Sequence, residues 1–251
     1  MKKAIVIGAS SGIGYEVARL LIEEGWTLGV AARREDRLQT LREGAEDRVK
    51  TAQIDVIKES VTEVLNQLIT SIGGMDLFFY AAGVGRQNRD LTEDIEMMTV
   101  QTNALGFTRM IGEAYRYFAA RQEQLDGGNE TKAWGHIAAI TSIAGTKGLG
   151  PAPAYSATKA MQNVYLQALE QQARQRGLKI RFTDIRPGFV DTALLAGDFH
   201  YPMMLRPERV ASDIVAAVNA HAHIRVIDWR YRILTAVWRR IPRCLWRHIR
   251  L

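Results

Sequence analysis

In the stretch PAPAYSATKA, residues 151–160, a phenol and an amine stand four positions apart, Tyr155 and Lys159. The prolines before them mark a helix start, and on a helix positions i and i+4 share a face, so the Lys159 ammonium can sit beside the Tyr155 hydroxyl. A free phenol has a pKa near about 10 and is a poor acid at neutral pH. Lowering it by about three units takes roughly 4 kcal/mol, more than one nearby cation supplies without a second positive charge and partial burial. Such a pair could pass a proton to or from a reacting oxygen. The same spacing alone also describes a packed aromatic and a surface lysine. Ser142, thirteen residues upstream in AAITSIAG, weighs against that reading. It closes a run that reads as a strand, and strand ends of an open parallel sheet face the ligand crevice.

A second cluster lies near the start. GASSGIG, Gly8 to Gly14, separates an apolar run from a helical pattern and offers Gly8, Ser10, Ser11, Gly12, Ile13 and Gly14. Glycines there allow a tight turn and the close approach of a diphosphate to a helix N-terminus, whose unpaired N–H groups favour anions. At the end of the next strand the chain reads AARRED. A nucleotide site selecting NAD offers a carboxylate to the ribose hydroxyls at this point, whereas Arg33 and Arg34 suit the 2′-phosphate of NADP. NADP(H) is therefore expected, with NAD second. The alternative is a solvated helix start in which Glu35 and Asp36 absorb the charge. Asp55 and Val56 end the third strand, where adenine would lie, and Ala81, Ala82 and Gly83 end the fourth with little bulk.

These sites need a scaffold. KAIVIGA, TLGVAAR, VKTAQIDV, MDLFFYAAG, GHIAAITS and KIRFTDIRPG read as six strands. Between them lie helical patterns in GYEVARLLIEEG, DRLQTLREGA and VTEVLNQLITSIG, a long one over 93–121, and one running from Tyr155 to about Arg176. A turn-rich break, DGGNET, precedes the fifth strand. Apolar strands alternating with amphipathic helices predict a doubly wound parallel sheet of the Rossmann kind, three layers α/β/α. One catalytic domain is expected over 1–224, with a substrate lid at about 189–209 and a basic aromatic extension over 225–251.

With those motifs in order, the chain resembles the short-chain dehydrogenase/reductase family over about residues 1–220. GASSGIG, AARRED, IDV, YAAG, QTNALG, ITSIAG, YSATK and RPGFVDT carry the resemblance. It implies that NADPH delivers hydride to a carbonyl carbon while Tyr155 acts as general acid/base. It further implies that Ser142 binds the carbonyl oxygen, and that Lys159 lowers the phenol's pKa and holds the nicotinamide ribose. Asn103 of QTNALG would position Lys159 and a relay water. Pro187, Gly188, Val190 and Thr192 would flank the nicotinamide, with Thr192 on the diphosphate or carboxamide. Two departures stand out: Ile7 where many members have threonine, and Tyr80-Ala81 in place of the usual asparagine, both of which would soften hydrogen bonding near the cofactor. The resemblance also implies a homodimer or homotetramer.

The lid stretch FVDTALLAGDFHYPMMLRPER offers Phe189, Leu194, Leu195, Phe199, Tyr201, Met203, Met204 and Leu205 as an apolar wall for a bulky or apolar carbonyl or alcohol, unless they simply pack on the domain. His200 is not expected to be catalytic, and no metal spacing links His136, His200, His221, His223 and His248.

The chain has 251 residues and a formal charge of +6. Residues 225–251 hold eight arginines and one acid, a net +7, which leaves the other 224 near −1. A basic body for nucleic acid is excluded by that split. Cys244 is the only cysteine, so no internal disulfide forms and a reducing, cytoplasmic setting is expected. The basic start before AIVIGA is too short for a signal peptide, and no stretch reaches the roughly 18 apolar residues of a membrane span. The tail WRYRILTAVWRRIPRCLWRHIRL reads as an amphipathic helix broken at Pro242. Two uses of 229–251 stay open: peripheral contact with an anionic membrane, or docking on the domain or another subunit. Palmitoylation of Cys244 would add to the first. A non-catalytic nucleotide-binding regulator or scaffold recruited through this tail is the alternative to an enzyme.

Overall fold

Alternation along each strand decides the architecture. In β1 (Lys3–Ile7) and β2 (Thr27–Ala32), Ala4, Val6, Leu28 and Val30 pack to one side of the sheet while Ile5, Ile7 and Ala31 pack to the other. Both sets are buried, so each face needs its own helical cover. The computed structural model describes residues 2–125, 134–195 and 201–249. DGGNET, Phe199 and His200 lie outside the described residues.

The remaining strands are β3 (Val49–Gln53), β4 (Leu77–Tyr80), β5 (Gly135–Ile140), β6 (Ile180–Arg186) and β7 (Ile224–Val226). They form one seven-stranded sheet, all pairs parallel, in the order β3-β2-β1-β4-β5-β6-β7. Helices α1 (Gly12–Glu23), α2 (Gln39–Arg42), α3 (Val61–Ser71), α4 (Glu93–Val100), α5 (Phe107–Leu125), α6 (Pro153–Gln175), α7 (Pro207–Asn219), α8 (Trp229–Arg240) and α9 (Arg243–Trp246) complete it. One face is covered by α1, α2, α7 and Tyr231 of α8, the other by α3, α5 and α6. This is the three-layer doubly wound fold expected. Strand order reverses between β1 and β4, and ligand crevices open at the carboxyl ends of strands at such a point.

Three features differ in detail from the expectation. The helical region over 93–121 is broken by a π-helical segment at Gln101–Gly106, which carries Asn103. DRLQTLREGA forms only a 3₁₀ turn at Asp36–Leu38 and the single turn of α2. A seventh strand, β7, pairs with β6 from Asp184↔Ile224 to Arg186↔Val226, so the expected boundary between 224 and 225 falls inside a strand. Beyond it, fully buried Tyr231 belongs to the core of the domain.

Candidate active site

Chain reversal between β1 and α1 brings the glycine turn against the end of β4. Gly8 has φ +88°, and a Cβ there would lie 2.7 Å from Ala82 N, so only glycine fits so tightly against Ala81 and Ala82. A Cβ at Gly14 would strike the Gly8 carbonyl. Thr192 Cγ2 lies 3.1 Å from the Cβ position of Gly12, which brings the Pro187–Thr192 segment over the same turn. Ser11 precedes α1 without a side-chain cap, and the first turn holds no acid. Ser10 and Ile13 lie half-buried on the same turn.

At the end of β2, Arg33 and Arg34 are exposed. Glu35 accepts a hydrogen bond from the Thr51 hydroxyl at 3.1 Å, and Gln53 Nε2 donates to the Arg33 carbonyl at 3.0 Å. Past the end of β3, Val56 is buried against Gly106 while the Asp55 carboxylate stays partly exposed.

The four expected catalytic side chains converge beyond β4 and β5. Ser142 is buried, and its Oγ accepts from Ala144 N at 3.0 Å, capping the short turn after β5. It lies close enough to the Tyr155 phenol to act on its ionisation. Tyr155 is half-buried as a residue with its hydroxyl enclosed, and a Cβ at Gly85 would lie 2.6 Å from its ring. Burial pushes the phenol's pKa up, and the nearby Ser142 hydroxyl opposes that rise.

Lys159 is buried; its Nζ donates to the Ile140 carbonyl at 3.1 Å and to Gln162 Oε1 at 3.0 Å, and stands 5.7 Å from the centre of the Tyr155 ring. Gln162, wholly buried, donates through Nε2 to the Asn103 carbonyl at 2.7 Å. The Asn103 side chain accepts from Val84 N at 2.9 Å and donates to Val84 O at 2.7 Å, tying the π-helical segment to the loop after β4. Burial pushes Lys159 down to about 8, opposed by the Asp184 carboxylate. Ser142 thus works to lower the phenol's pKa, and Lys159 is set against the ring.

Sequence reasoning did not single out Gln162. Its signal was available, because Tyr155, Lys159 and Gln162 stand at i, i+4 and i+7 on one face of α6. It also missed the buried network beneath Lys159, where Thr141 Oγ1 donates to Asp184 at 2.5 Å and Arg186 pairs with Asp184 Oδ2 at 2.5 Å.

The two departures sit side by side in the sheet. Ile7 lies in register beside Tyr80, whose ring meets Phe107 edge-on at 5.3 Å. The turn is held instead by Ala81 N donating to Ile7 O at 2.8 Å.

In the expected lid, Phe189 stacks on Tyr201 at 4.7 Å, while Met203 and Leu205 turn into the core and Leu194 and Met204 are exposed. The wall is thus partly core packing. Tyr231 holds this segment from below: its ring fills the space beside Gly188. Its hydroxyl accepts from Phe189 N at 3.2 Å and shares its proton between the carbonyls of Pro202 and Met203, at 3.2 and 3.0 Å. His136 sits at the opposite end of β5, bonded to Thr183 Oγ1 at 2.8 Å, and burial pushes it down to about 3. Among the described residues no three His, Cys, Asp or Glu side chains are grouped to hold a metal.

A family profile described as short chain dehydrogenase matches residues 2–200. An uncharacterized oxidoreductase of Staphylococcus aureus (strain MRSA252) is 32% identical over 230 residues, covering 90% of this chain and 94% of its own. One from Staphylococcus epidermidis is 27% identical over 229 residues, with the same coverage. Among solved structures, an alcohol dehydrogenase from the archaeon Thermococcus sibiricus complexed with 5-hydroxy-NADP superposes with TM-score 0.75 at 23% identity, covering 92% of this chain and 97% of that one. A 3-ketoacyl-(acyl-carrier-protein) reductase from Brucella melitensis complexed with NADH gives 0.77 at 20% identity, covering 90% and 96%.

Proposed function

This chain belongs to the short-chain dehydrogenase/reductase family of oxidoreductases, and from that premise we propose that it moves hydride between NADP(H) and a ketone, aldehyde or secondary alcohol with apolar or bulky substituents. The observation that carries the reading is the meeting of Ser142, Tyr155 and Lys159 beside a glycine turn that only glycines can form. A sensor that merely binds nucleotide has no use for that trio.

When bound, the nicotinamide nucleotide supplies or takes up the hydride. The turn Gly8–Gly14 and the first N–H groups of α1 hold its diphosphate, helped by Thr192 above Gly12. Asp55 and Val56 border the adenine, and Ala81 to Gly83 leave room along the end of β4. The two related folds carry different nucleotides, so NADP rests on Arg33 and Arg34, exposed at the β2 end while Glu35 turns to Thr51.

Ser142 accepts from Ala144 N, which leaves its own proton to point at the phenol and at a carbonyl oxygen placed there. Tyr155 donates its proton to that oxygen as the alkoxide develops, or removes it in the reverse direction. Gln162 fixes the Lys159 ammonium between α6 and the Asn103 carbonyl, where it can hold the ribose and replenish the proton. Phe189 and Tyr201 supply the apolar wall.

The test is oxidation of NADPH and NADH, followed by absorbance, against a panel of lipid, steroid, sugar and small aromatic carbonyls. With an active substrate found, Tyr155→Phe is expected to lose about two to four orders of magnitude in turnover while still binding nucleotide. Wild-type turnover in that variant refutes the mechanism.

A further inference from the structure

We propose that the outward face of α8, with the arginines around it, rests on an anionic membrane surface and holds the substrate segment at the lipid boundary. The tail has two faces with different partners. Its inner face is docked on its own domain: Tyr231 and Thr235 are buried, Trp246 Nε1 donates to the Gly148 carbonyl at 2.8 Å, and Lys147 Nζ donates to the Ile241 carbonyl at 3.0 Å. Trp238 meets Trp246 edge-on at 5.4 Å across the Pro242 break.

The outer face of α8 is left uncovered. Trp229, Ile233 and Val237 are 66%, 56% and 52% exposed, and their four-residue spacing puts them in one stripe. Leu245 and Ile249 beyond the break are also exposed. Arg232, Arg239, Arg240, Arg243 and Arg247 share this stretch, and no acid occurs from Trp229 to Leu251. Arg230 is tied back to Asp228 at 2.9 Å.

Shape and charge choose the occupant. The stripe lies on a convex helix surface, so a partner must be deformable or broadly flat. A second copy seated on the same stripe would bring arginines against arginines. An anionic lipid surface meets both conditions, accepting the apolar side chains and Trp229 at headgroup depth while the guanidinium groups reach the phosphates. No helix among the described residues is long and apolar enough to cross a membrane, so α8 lies in the plane of the surface. On the other side of α8, Tyr231 anchors Phe189 and Met203. An enzyme seated this way takes an apolar carbonyl compound from the lipid phase, a clause that rests on the function proposed above.

Sedimentation of the full-length protein with phosphatidylcholine vesicles, with and without phosphatidylglycerol, tests the surface. Pelleting is expected only with phosphatidylglycerol, and to fall at high salt. The double variant Ile233→Ser/Val237→Ser should bind about a hundredfold more weakly, since each lost apolar side chain contributes roughly a decade of partition. Arg239→Glu/Arg240→Glu should bind as weakly. Both should keep wild-type turnover of a water-soluble carbonyl but lose turnover of a ketone dissolved in the vesicles. A wild-type protein that stays in the supernatant with anionic vesicles overturns the proposal, as does a variant that pellets like wild type. A change of native mass in Ile233→Ser/Val237→Ser without vesicle binding makes the stripe a contact between copies and overturns it too. Vesicle binding without any carbonyl turnover upholds the surface and removes the enzymatic reading instead.

Discussion

Replacing Gln162 by leucine should move the alkaline limit of carbonyl reduction downward by about one to two pH units. Gln162 accepts a hydrogen bond from Lys159 Nζ at 3.0 Å and donates one to the Asn103 carbonyl at 2.7 Å, with all three residues buried. Leucine keeps the volume and removes both bonds. A hydrogen bond to a charged group contributes about 1.5–3 kcal/mol, and here it favours the ammonium over the amine, so its loss lowers the lysine's pKa. At about 1.4 kcal/mol per unit, Lys159 moves from about 8 to roughly 6–7. The ammonium is then depleted at neutral pH, and kcat/KM for reduction declines from a lower pH. Gln162→Glu should shift the same limb upward, because a carboxylate favours the ammonium. The assay is kcat/KM against pH for the three proteins, with nucleotide affinity followed by NADPH fluorescence. If Gln162→Leu folds, binds NADPH and keeps its alkaline limb in place, Gln162 does not act through Lys159.

Arg33→Ser/Arg34→Ser should reduce the preference for NADPH over NADH by about ten- to a hundredfold, the equivalent of about 1.5–3 kcal/mol of charge-assisted bonding, and leave KM for NADH unchanged; an unaltered ratio would remove these arginines from the phosphate site. Gly85→Ala places a Cβ 2.6 Å from the Tyr155 ring, so kcat should fall sharply while nucleotide Kd holds, as single-turnover and fluorescence measurements can separate. His136, at about 3 when folded and near 6.5 when unfolded, keeps its full contribution above about pH 6.5. That contribution should decline by up to about 1.4 kcal/mol per pH unit as acid approaches pH 3, because the unfolded chain binds the proton first. Urea unfolding at neutral and mildly acidic pH should show this slope reduced in His136→Gln.

The sheet was legible because its strands are apolar on both faces, a pattern that runs such as AIVIGA and MDLFFYAAG state outright. β7 was not, being three residues long with an arginine at its centre and little burial. The π-helical segment was hidden for another reason. A π turn has no residue pattern of its own, so QTNALG within a long helical stretch gave no sign that Asn103 would turn its carbonyl to Gln162. The motif residues lie near one another, since the glycine turn and the helix start fix local geometry. The partners of Lys159 were less readable: a glutamine on a helix is ordinary until its burial is known. The tail's periodicity was plain, yet only tertiary packing shows which of its faces is already taken.

If the Phe189 segment walls the substrate site as proposed, Tyr231 makes that wall depend on a helix remote in sequence. Its hydroxyl joins Phe189, Pro202 and Met203, and its ring occupies the space beside Gly188. Anyone seeking to alter what this enzyme accepts would by habit vary the pocket wall and leave α8 alone. A substitution at Leu234 or Thr235 that rolls the helix slightly is expected to re-aim Phe189 through Tyr231 without touching it. Selection libraries for new specificities should therefore include α8, and variants found there should be scored for selectivity before being set aside as mere stability mutants.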